Sequence, residues 1–454
     1  MKHATALAAA IILGALALSA SAGSPSSTTR VSVSGAGVQG DRDSYAAGIS
    51  ASGRYVLFNS LARNLVAGDT NNRDDVFVAD RNTGAVQRVS VRSGGGQAKA
   101  GSDPYGGSYA GGMSANGRYV VFNSDSPNIV PHDTNHLSDA FVHDRMRNVT
   151  IRVSAGMRGL QANGSSGDPA ISANGRYVAF MSLASNLVRG DTNGMSDVFV
   201  RDLRTGRTVR ASMTSHGAQA RCNQSGCEST EPALSANGRF VAFESSATNL
   251  VPHDTNRTAD VFVRDLHTGR TERVNVSSSG RQAGNERTNN GSNDPVISAD
   301  GRFVAFHSYA PNLVRGDTNR LPDIFVHDRR TGKTTRVSIS TAGRQANQEN
   351  LGAIAISPDG HYVAFTSLAT NLVAGDANDI TDVFVRDLRA GTTSLVSLGA
   401  SGIQGGDASS VGGVAFSAND RYLAFTSWAS NFVPGDTNIV PDAFVRDLHA
   451  AQMH

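Results

Sequence analysis

Two aspartates with an asparagine between them recur along this chain in segments that read D-x-N-x-x-x-D. Carboxylate and amide oxygens are the ligands that Ca²⁺ takes, in sets of roughly six to eight. The segments are therefore candidate calcium sites, although they lack the later Glu and the regular Gly of an EF-hand loop. The candidate ligands are Asp69, Asn71 and Asp75; Asp133, Asn135 and Asp139; Asp191, Asn193 and Asp197; Asp254, Asn256 and Asp260; Asp317, Asn319 and Asp323; Asp376, Asn378 and Asp382; and Asp436, Asn438 and Asp442.

A structural interpretation of these residues stands beside the metal site. Asp and Asn side chains cap free backbone N–H groups in turns, and every copy of a repeated loop needs the same caps. Repetition is expected under both interpretations and does not separate them. Ca²⁺ is the one candidate cofactor that the sequence suggests.

A second set of carboxylates lies where the copies differ. Four residues before the Ser of the S-x-N-G or S-x-D-G turn, three neighbouring copies carry Asp168, Glu231 and Asp294, each followed by Pro. In the other copies this residue is small, namely Ala46, Ala110, Ala353 and Gly413. We expect Asp168, Glu231 and Asp294, here called the acidic arc, to lie at the mouth of a central channel and to bind a cation or a basic group. The alternative is that an acidic residue before Pro simply begins a strand.

The two cysteines of the chain, Cys222 and Cys227, lie close together in one loop. In an oxidising compartment this spacing favours a local disulfide. A zinc site is the weaker alternative, because no second Cys or His pair lies nearby. The sequence contains no G-x-S-x-G, H-E-x-x-H or P-loop motif, and its twelve histidines are scattered.

These residues lie within a unit of about 60 residues that is repeated seven times. In the third copy, short β-rich segments at 169–172, 176–182, 197–202 and 208–213 alternate with turns, which indicates four antiparallel strands, A to D. Four-stranded units that stack around an axis form a β-propeller. The turns between strands A and B and between C and D are short, whereas the B–C and D–A loops are long. Because long loops on a rigid scaffold commonly bind ligands, we expect function on the face with the long loops.

The ends of the sequence predict a closed ring. The seventh copy stops after strand C, and the segment 28–33 near the N-terminus reads T-T-R-V-S-V, like a strand D. We therefore predict an all-β, seven-bladed propeller in which the N-terminal strand completes the last blade. The predicted blades span about 45–91, 108–154, 168–213, 231–276, 294–339, 352–398, and 411–449 together with 28–33.

The S-[AP]-[ND]-G-x-[YF]-[VL]-A-F segments and the D-[LR]-x-T-G turns resemble the WD40-like (PD40) repeats of the TolB propeller family. The resemblance covers nearly all of the chain after its first 22 residues and implies a propeller fold. The domain that precedes the propeller in TolB is missing, and the long D-T-N loops are not part of the usual repeat. The resemblance therefore does not imply the partners of TolB itself.

The first residues are typical of a secretory signal, with Lys2, an apolar run and a small-residue cleavage pattern that ends at residue 22. We expect residues 23–454 to be an exported monomer, periplasmic or extracellular, without a membrane span. The formal net charge of +2 gives no overall attraction for nucleic acid. We expect a non-catalytic binding or scaffold propeller for a protein or glycan partner; the alternative is a lyase or glycan hydrolase that uses the acidic arc.

Overall fold

The computed structural model of the chain describes residues 28–101, 106–156, 159–222, 228–284, 291–376, 378–399, 402–407 and 413–449. The predicted signal segment 1–22 and Cys227 lie outside the described residues. Within the described part, no helix is long and apolar enough to cross a membrane. The strands form seven antiparallel sheets of four strands each.

The strands of the first three blades follow the chain in the order A, B, C, D. Blade 1 consists of β2 (Ser44–Ile49), β3 (Tyr55–Ser60), β4 (Asp75–Asp80) and β5 (Val86–Arg88). Blade 2 consists of β6 (Ser108–Met113), β7 (Tyr119–Ser124), β8 (Asp139–Asp144) and β9 (Val149–Arg152). Blade 3 consists of β10 (Ser166–Ile171), β11 (Tyr177–Ser182), β12 (Asp197–Asp202) and β13 (Arg207–Arg210).

The next three blades repeat this order. Blade 4 consists of β14 (Ser229–Leu234), β15 (Phe240–Ser245), β16 (Asp260–Asp265) and β17 (Thr271–Arg273). Blade 5 consists of β18 (Ser292–Ile297), β19 (Phe303–Ser308), β20 (Asp323–Asp328) and β21 (Lys333–Arg336). Blade 6 consists of β22 (Asn350–Ile356), β23 (Tyr362–Ser367), β24 (Asp382–Asp387) and β25 (Thr392–Leu395).

Blade 7 is built from both ends of the chain. It contains β26 (Ala415–Phe416), β27 (Tyr422–Ser427) and β28 (Asp442–Asp447), and its outer strand is β1 (Thr28–Arg30). Thr28 pairs with Arg446 and Arg30 pairs with Phe444 in antiparallel register. The predicted seven-bladed propeller closed by the N-terminal strand is therefore confirmed.

The core is formed by strands B and C, which are buried on both faces between neighbouring blades. In blade 1, Val56, Leu57 and Phe58 of β3 are all fully buried, because blades 7 and 2 cover the two sides of the sheet. Each blade stacks a Phe of strand B on a Phe of strand C, as Phe58 does on Phe77 at 5.6 Å. Such pairs add stabilisation beyond the buried area itself.

The short A–B and C–D turns share one face of the ring, here called the turn face, and the other is the long-loop face. On the turn face, Arg54 donates two hydrogen bonds to Asp80, at 2.9 and 2.7 Å. Asp80 also accepts the backbone N–H of Asn82 and so caps the C–D turn. The same Arg–Asp pair occurs in five further blades: Arg118–Asp144, Arg176–Asp202, Arg239–Asp265, Arg302–Asp328 and Arg421–Asp447.

Candidate functional site

The D-x-N-x-x-x-D segments fold around an arginine of strand D. In blade 1, Nη1 of Arg88 lies 3.2 Å from Oδ1 of Asp69 and 3.3 Å from Oδ2 of Asp75. Asp75 is fully buried and also accepts the hydroxyl of Ser90 at 2.5 Å. A guanidinium therefore lies between the two carboxylates whose oxygens the calcium interpretation assigns to a metal.

Five other blades have the same arrangement. An arginine contacts both aspartates of its loop at 3.3 Å or less in each of them. These arginines are Arg30, Arg152, Arg210, Arg273 and Arg336. One of the two negative charges of the loop is thus offset within the protein, which weakens the case for a cation there.

The asparagine of the segment connects two loops. Asn71 donates from Nδ2 to Asp75 and to the backbone oxygen of Ala98, and its Oδ1 accepts the N–H of Arg73. In the neighbouring D–A loop, Gln97 donates to Asp69 at 3.1 Å. The amide groups therefore satisfy backbone and side-chain partners, as the capping interpretation expects. Among the described residues, no group of three or more His, Cys, Asp or Glu is arranged to hold a metal ion.

Blade 6 departs from this pattern because Leu395 takes the place of the arginine, opposite Phe384. Gln404 instead donates from Nε2 to both Asp376 and Asp382, at 2.8 Å each. Burial raises the pKa of both carboxyls. In the described residues of the other six loops the two aspartates contact an arginine. In this loop they contact the side-chain amide of Gln404 instead.

The acidic arc lies on the inner strands, each residue inside a β-bulge. In β10 the pairing with β11 shifts between Gly167 and Ala170, so Asp168 and Pro169 together oppose one residue. Glu231 in β14 and Asp294 in β18 occupy the same bulge. Bulges redirect a side chain and occur often beside active sites. The D-P and E-P pairs therefore do not begin a strand. Each acidic residue lies inside its strand, two residues after the first residue of that strand.

The backbone of the acidic arc is strained. Asp168, Glu231 and Asp294 have φ values of 47°, 52° and 53°, in the left-handed region that disfavours residues other than Gly, Asn and Asp. A Glu in this conformation costs about 1–3 kcal/mol and persists only where surrounding structure imposes it. In blade 6, Gly352 and Ala353 lie in the corresponding bulge. A Cβ atom on Gly352 would lie 2.4 Å from Oδ2 of Asp294, so this glycine makes room for the arc.

A fourth carboxylate, Glu244, joins the acidic arc from β15. Asp294 donates its backbone N–H to Oε2 of Glu231 at 2.8 Å, and Glu231 lies close enough to Glu244 for its charge to raise the pKa of Glu244. The neighbouring His307 of β19, at the same place in strand B as Glu244, contacts Asn293 and the backbone oxygen of Asn350. Glu231 therefore interacts with Glu244 of its own blade and with the backbone of the neighbouring blade.

The protonation of this cluster follows from its crowding. Burial, followed by the charge of Glu231, raises the pKa of Glu244 to about 8 and that of Asp294 to about 7. The same two causes raise the pKa of Asp168, whose side chain stays partly exposed to solvent. Near neutral pH the cluster therefore holds protons that isolated carboxylates would have released.

The sequence identified three of these four carboxylates. Glu244 was missed because it lies in strand B, 13 residues after Glu231, and only the register of the sheet brings them together. A signal was present, since the same place in other blades holds neutral or weakly basic residues: Asn59, Asn123, Met181, His307, Thr366 and Thr426. The loop arginines were also missed as partners of the aspartates. Cys222 is disulfide-bonded, and the other cysteine, Cys227, lies outside the described residues.

No protein-family model matches the chain, and no curated protein matches its sequence. Among solved structures, an oligogalacturonate lyase in complex with manganese is 12% identical with a TM-score of 0.54, and the match covers 93% of each chain. The β-propeller domain of the trilobed protease from Pyrococcus furiosus is 10% identical with a TM-score of 0.50, covering 89% of this chain and 94% of that chain.

TolB from Acinetobacter baumannii is also similar, at 14% identity and a TM-score of 0.39, over 78% of this chain and 62% of that chain. At such identities the likenesses to the lyase and to the protease domain show the β-propeller fold alone. Enzymes and propellers of other kinds share this architecture, because function belongs to the site and not to the fold. The chain is therefore a β-propeller with neighbours of several activities, and its own activity must be argued from its residues.

Proposed function

We propose that this protein is an exported binding propeller of TolB-like repeats that recognises a cationic group of its partner at the acidic arc. The observation that carries the proposal is the presence of Asp168, Glu231 and Asp294 in the same strained bulge of three adjacent blades, next to Glu244. Strain and crowded like charge both cost stability, and such costs are typical of functional sites. Export rests on the predicted signal at residues 1–22.

The electrostatics favour an amine or guanidinium as the bound group. A cation beside the carboxylates stabilises their ionised form and offsets the repulsion between Glu231 and Glu244. Binding must then release the protons that the free cluster holds. The affinity is expected to rise as the pH increases through the range of about 7 to 8 in which Asp294 and Glu244 titrate.

Calorimetry tests this proposal. Spermidine and a short lysine-rich peptide are titrated into the protein in two buffers of different ionisation enthalpy at neutral pH. We expect binding with proton release, and a loss of at least tenfold in affinity in the variant D168N/E231Q/D294N. The matched control is D300N on the turn face, because Asn already occupies that turn position in blades 2 to 4. Equal affinity in the triple variant would contradict the proposal.

A second candidate function is an enzyme that transfers protons at the same cluster. It is favoured by Asp294 and Glu244, since a general acid or base works best with a pKa near the working pH. The likeness to an oligogalacturonate lyase brings only the fold, and a polyanionic substrate would be repelled by those carboxylates of the cluster that are ionised. We therefore rank this candidate second, with a neutral or basic glycan as its substrate.

An activity screen separates the two candidates. Neutral glycans, amino-sugar polymers and oligogalacturonate are incubated with the protein, and new reducing ends and unsaturated products are measured. The binding proposal predicts no turnover above the triple variant D168N/E231Q/D294N. Turnover that disappears in E244Q would establish the enzyme instead.

A further inference from the structure

The turn face carries clefts between blades, separate from the acidic arc. The aromatic residue that begins strand B packs against the A–B turn of the next blade, as Tyr55 does against Gly117. The aromatic ring is covered by a residue of that next blade, the one that directly follows the last Asp of strand C. It is an arginine at three junctions, where its guanidinium lies 4.4 or 4.5 Å from the ring centroid: Arg145 over Tyr55, Arg81 over Tyr422 and Arg329 over Phe240.

At the other junctions a leucine replaces this arginine. Leu203 packs beside Tyr119 at the junction of blades 2 and 3, and Leu266 packs beside Tyr177 at the junction of blades 3 and 4. Both junctions open into clefts, of about 540 and 480 Å³ respectively. The two clefts occupy the same place in the repeat, so differences between their walls show what is specific to each.

The wall of the cleft between blades 2 and 3 has Val149 where the wall of its neighbour has Arg207. It includes Tyr119, Val142, Val149, Ile151 and Leu203. Val149 and Ile151 of β9 remain 40% and 45% exposed, and Met146 in the preceding turn is 79% exposed. The residues of blade 3 that correspond to Val149 and Met146 are both arginine.

Among blades 1 to 6, whose strands C and D are described over these places, this pair of exposed apolar residues occurs in blade 2 alone. The places of Val149 and Ile151 are occupied by Ala85 and Gln87, Arg207 and Val209, Arg270 and Glu272, Lys333 and Thr335, and Thr392 and Ser394 in blades 1, 3, 4, 5 and 6. Isolated exposed apolar residues need no explanation, but a contiguous concave patch marks an interaction site. Comparison of strand D between the blades thus distinguishes this cleft by its two exposed apolar residues.

The rim of the cleft is positively charged. Arg147 and Arg204 line it and are exposed, whereas Arg176, which also lines it, is already paired with Asp202 at 2.7 Å. The one acidic residue in the lining, Asp144, is held by Arg118 at 2.6 Å. Charge complementarity therefore favours a partner with carboxylates around an apolar side chain.

We propose that the cleft between blades 2 and 3 docks an acidic segment of a protein partner, which inserts a bulky apolar side chain against the wall formed by Tyr119, Ile151 and Leu203. The concave wall favours insertion of a single side chain, because a flat lipid surface could not reach its floor. The arginines of the rim then contact the flanking carboxylates, where bidentate geometry is favourable. The site is on the face opposite the acidic arc, so each can bind without the other.

The test uses two fluorescent peptides and a variant that copies another blade. One peptide contains a phenylalanine and a leucine flanked by glutamates, and in the other lysines replace the glutamates. The variant V149K/I151T introduces the residues that blade 5 already carries at these places, Lys333 and Thr335, so the fold is preserved. We expect the acidic peptide to bind the full chain and to lose at least tenfold in affinity in the variant, measured by fluorescence anisotropy.

The control K333A/T335A changes the corresponding pair of blade 5 and is expected to leave the affinity for the acidic peptide unchanged. Three outcomes would overturn the proposal. These are equal binding of the lysine peptide, an affinity unchanged in V149K/I151T, and an equal loss in the control. Sedimentation with phosphatidylglycerol vesicles that V149K/I151T abolishes, without peptide binding, would assign the patch to a lipid surface and would also overturn it.

Discussion

At the scale of single residues, the carboxylates of this protein behave according to their neighbours. Asp80 on the turn face has its pKa lowered to about 2, because Arg54 donates two hydrogen bonds to it. Glu244 has its pKa raised to about 8, because it is half-buried beside Glu231 and no arginine contact is described for it. The first group is neutralised and serves the fold, whereas the second holds its proton and is available to a ligand.

The proton on Glu244 makes stability depend on pH. Because its pKa is raised in the folded state, the folded protein binds a proton that the unfolded chain releases above about pH 4.5. The free energy of unfolding should therefore fall as the pH rises from about 4.5 to 8, by at most about 1.4 kcal/mol per pH unit. We expect E244Q to reduce this slope, as measured by urea unfolding across that range.

Two buried histidines change the free energy of unfolding with pH in the opposite direction to Glu244. Their contribution must be separated from that of Glu244. Burial lowers the pKa of His143 and His307 to about 4, so their contribution to stability is lost as the pH falls from about 6.5 towards 4. Wild type and E244Q both retain these histidines. Their contribution therefore cancels when the free energy of unfolding of one protein is subtracted from that of the other. A difference that does not vary with pH would show that Glu244 titrates normally.

At the scale of elements, the arginine of strand D connects the outer strand to the B–C loop. The sequence predicted the strands and the loop, but it treated the R-V-S segment and the D-x-N-x-x-x-D segment as separate features. They are joined only by the pairing of strand C with strand D, which places Arg273 beside Asp254 and Asp260. Side-chain contacts of this kind depend on register, and the repeat period alone does not reveal them.

Removal of one such arginine should be costly. In R273L two buried carboxylates would lose their cation, and breaking a buried ion pair typically costs about 3–5 kcal/mol. Blade 6 tolerates Leu395 because Gln404 bonds to both aspartates, whereas in blade 4 the equivalent Gln282 donates to Thr255. Chemical denaturation measures the loss.

The control for this experiment is R270L, directly before β17 of blade 4, the strand that ends with Arg273. The Arg270 side chain is 72% exposed and pairs only with Glu272, so its removal should change stability by less than about 1 kcal/mol. If R273L were no more harmful than R270L, the arginine would not be the element that offsets the charge of the loop.

The closing strand gives a second prediction at this scale. Val31, directly after β1, is 5% exposed and packs in one core cluster with Ala443 and Val445 of the last strand. Introducing a charge there, as in V31D, should destabilise the ring by several kcal/mol because the carboxylate is buried without a partner. Thermal unfolding tests this, with V38D as the control since Val38 is 55% exposed. Equal melting temperatures for the two variants would mean that this segment does not close the propeller.

At the scale of the whole molecule, the sequence predicted the architecture more completely than it predicted the contacts of single residues or strands. Seven copies of one unit determine seven blades, and the strand missing from the last copy is supplied by the segment 28–33 near the other end of the chain. The acidic arc was located by comparison of the copies, but its fourth member and its strained bulges required the sheet register. The features common to all copies could be predicted from the sequence. The side-chain contacts that depend on sheet register could not.

The calcium interpretation is tested on the whole molecule. After chelation, the melting temperature is measured with and without millimolar Ca²⁺. We expect little change, because in six blades an arginine already lies between the two aspartates and offsets one of their charges. A site that binds only the folded state adds about 2.7 kcal/mol at a hundredfold excess over its dissociation constant, so a large saturable shift would establish the metal sites instead.

The pairing of β1 with β28 also fixes the order in which the molecule can be completed. The Thr28 hydroxyl and the Arg446 side chain that meet there are separated by 418 positions, so β1 has no partner in its sheet until β28 has been synthesised. Loop closure over such a distance is entropically unfavourable and is expected to be slow. If the predicted export is correct, the chain can cross the membrane while this joint is still open, and the ring closes only after translocation.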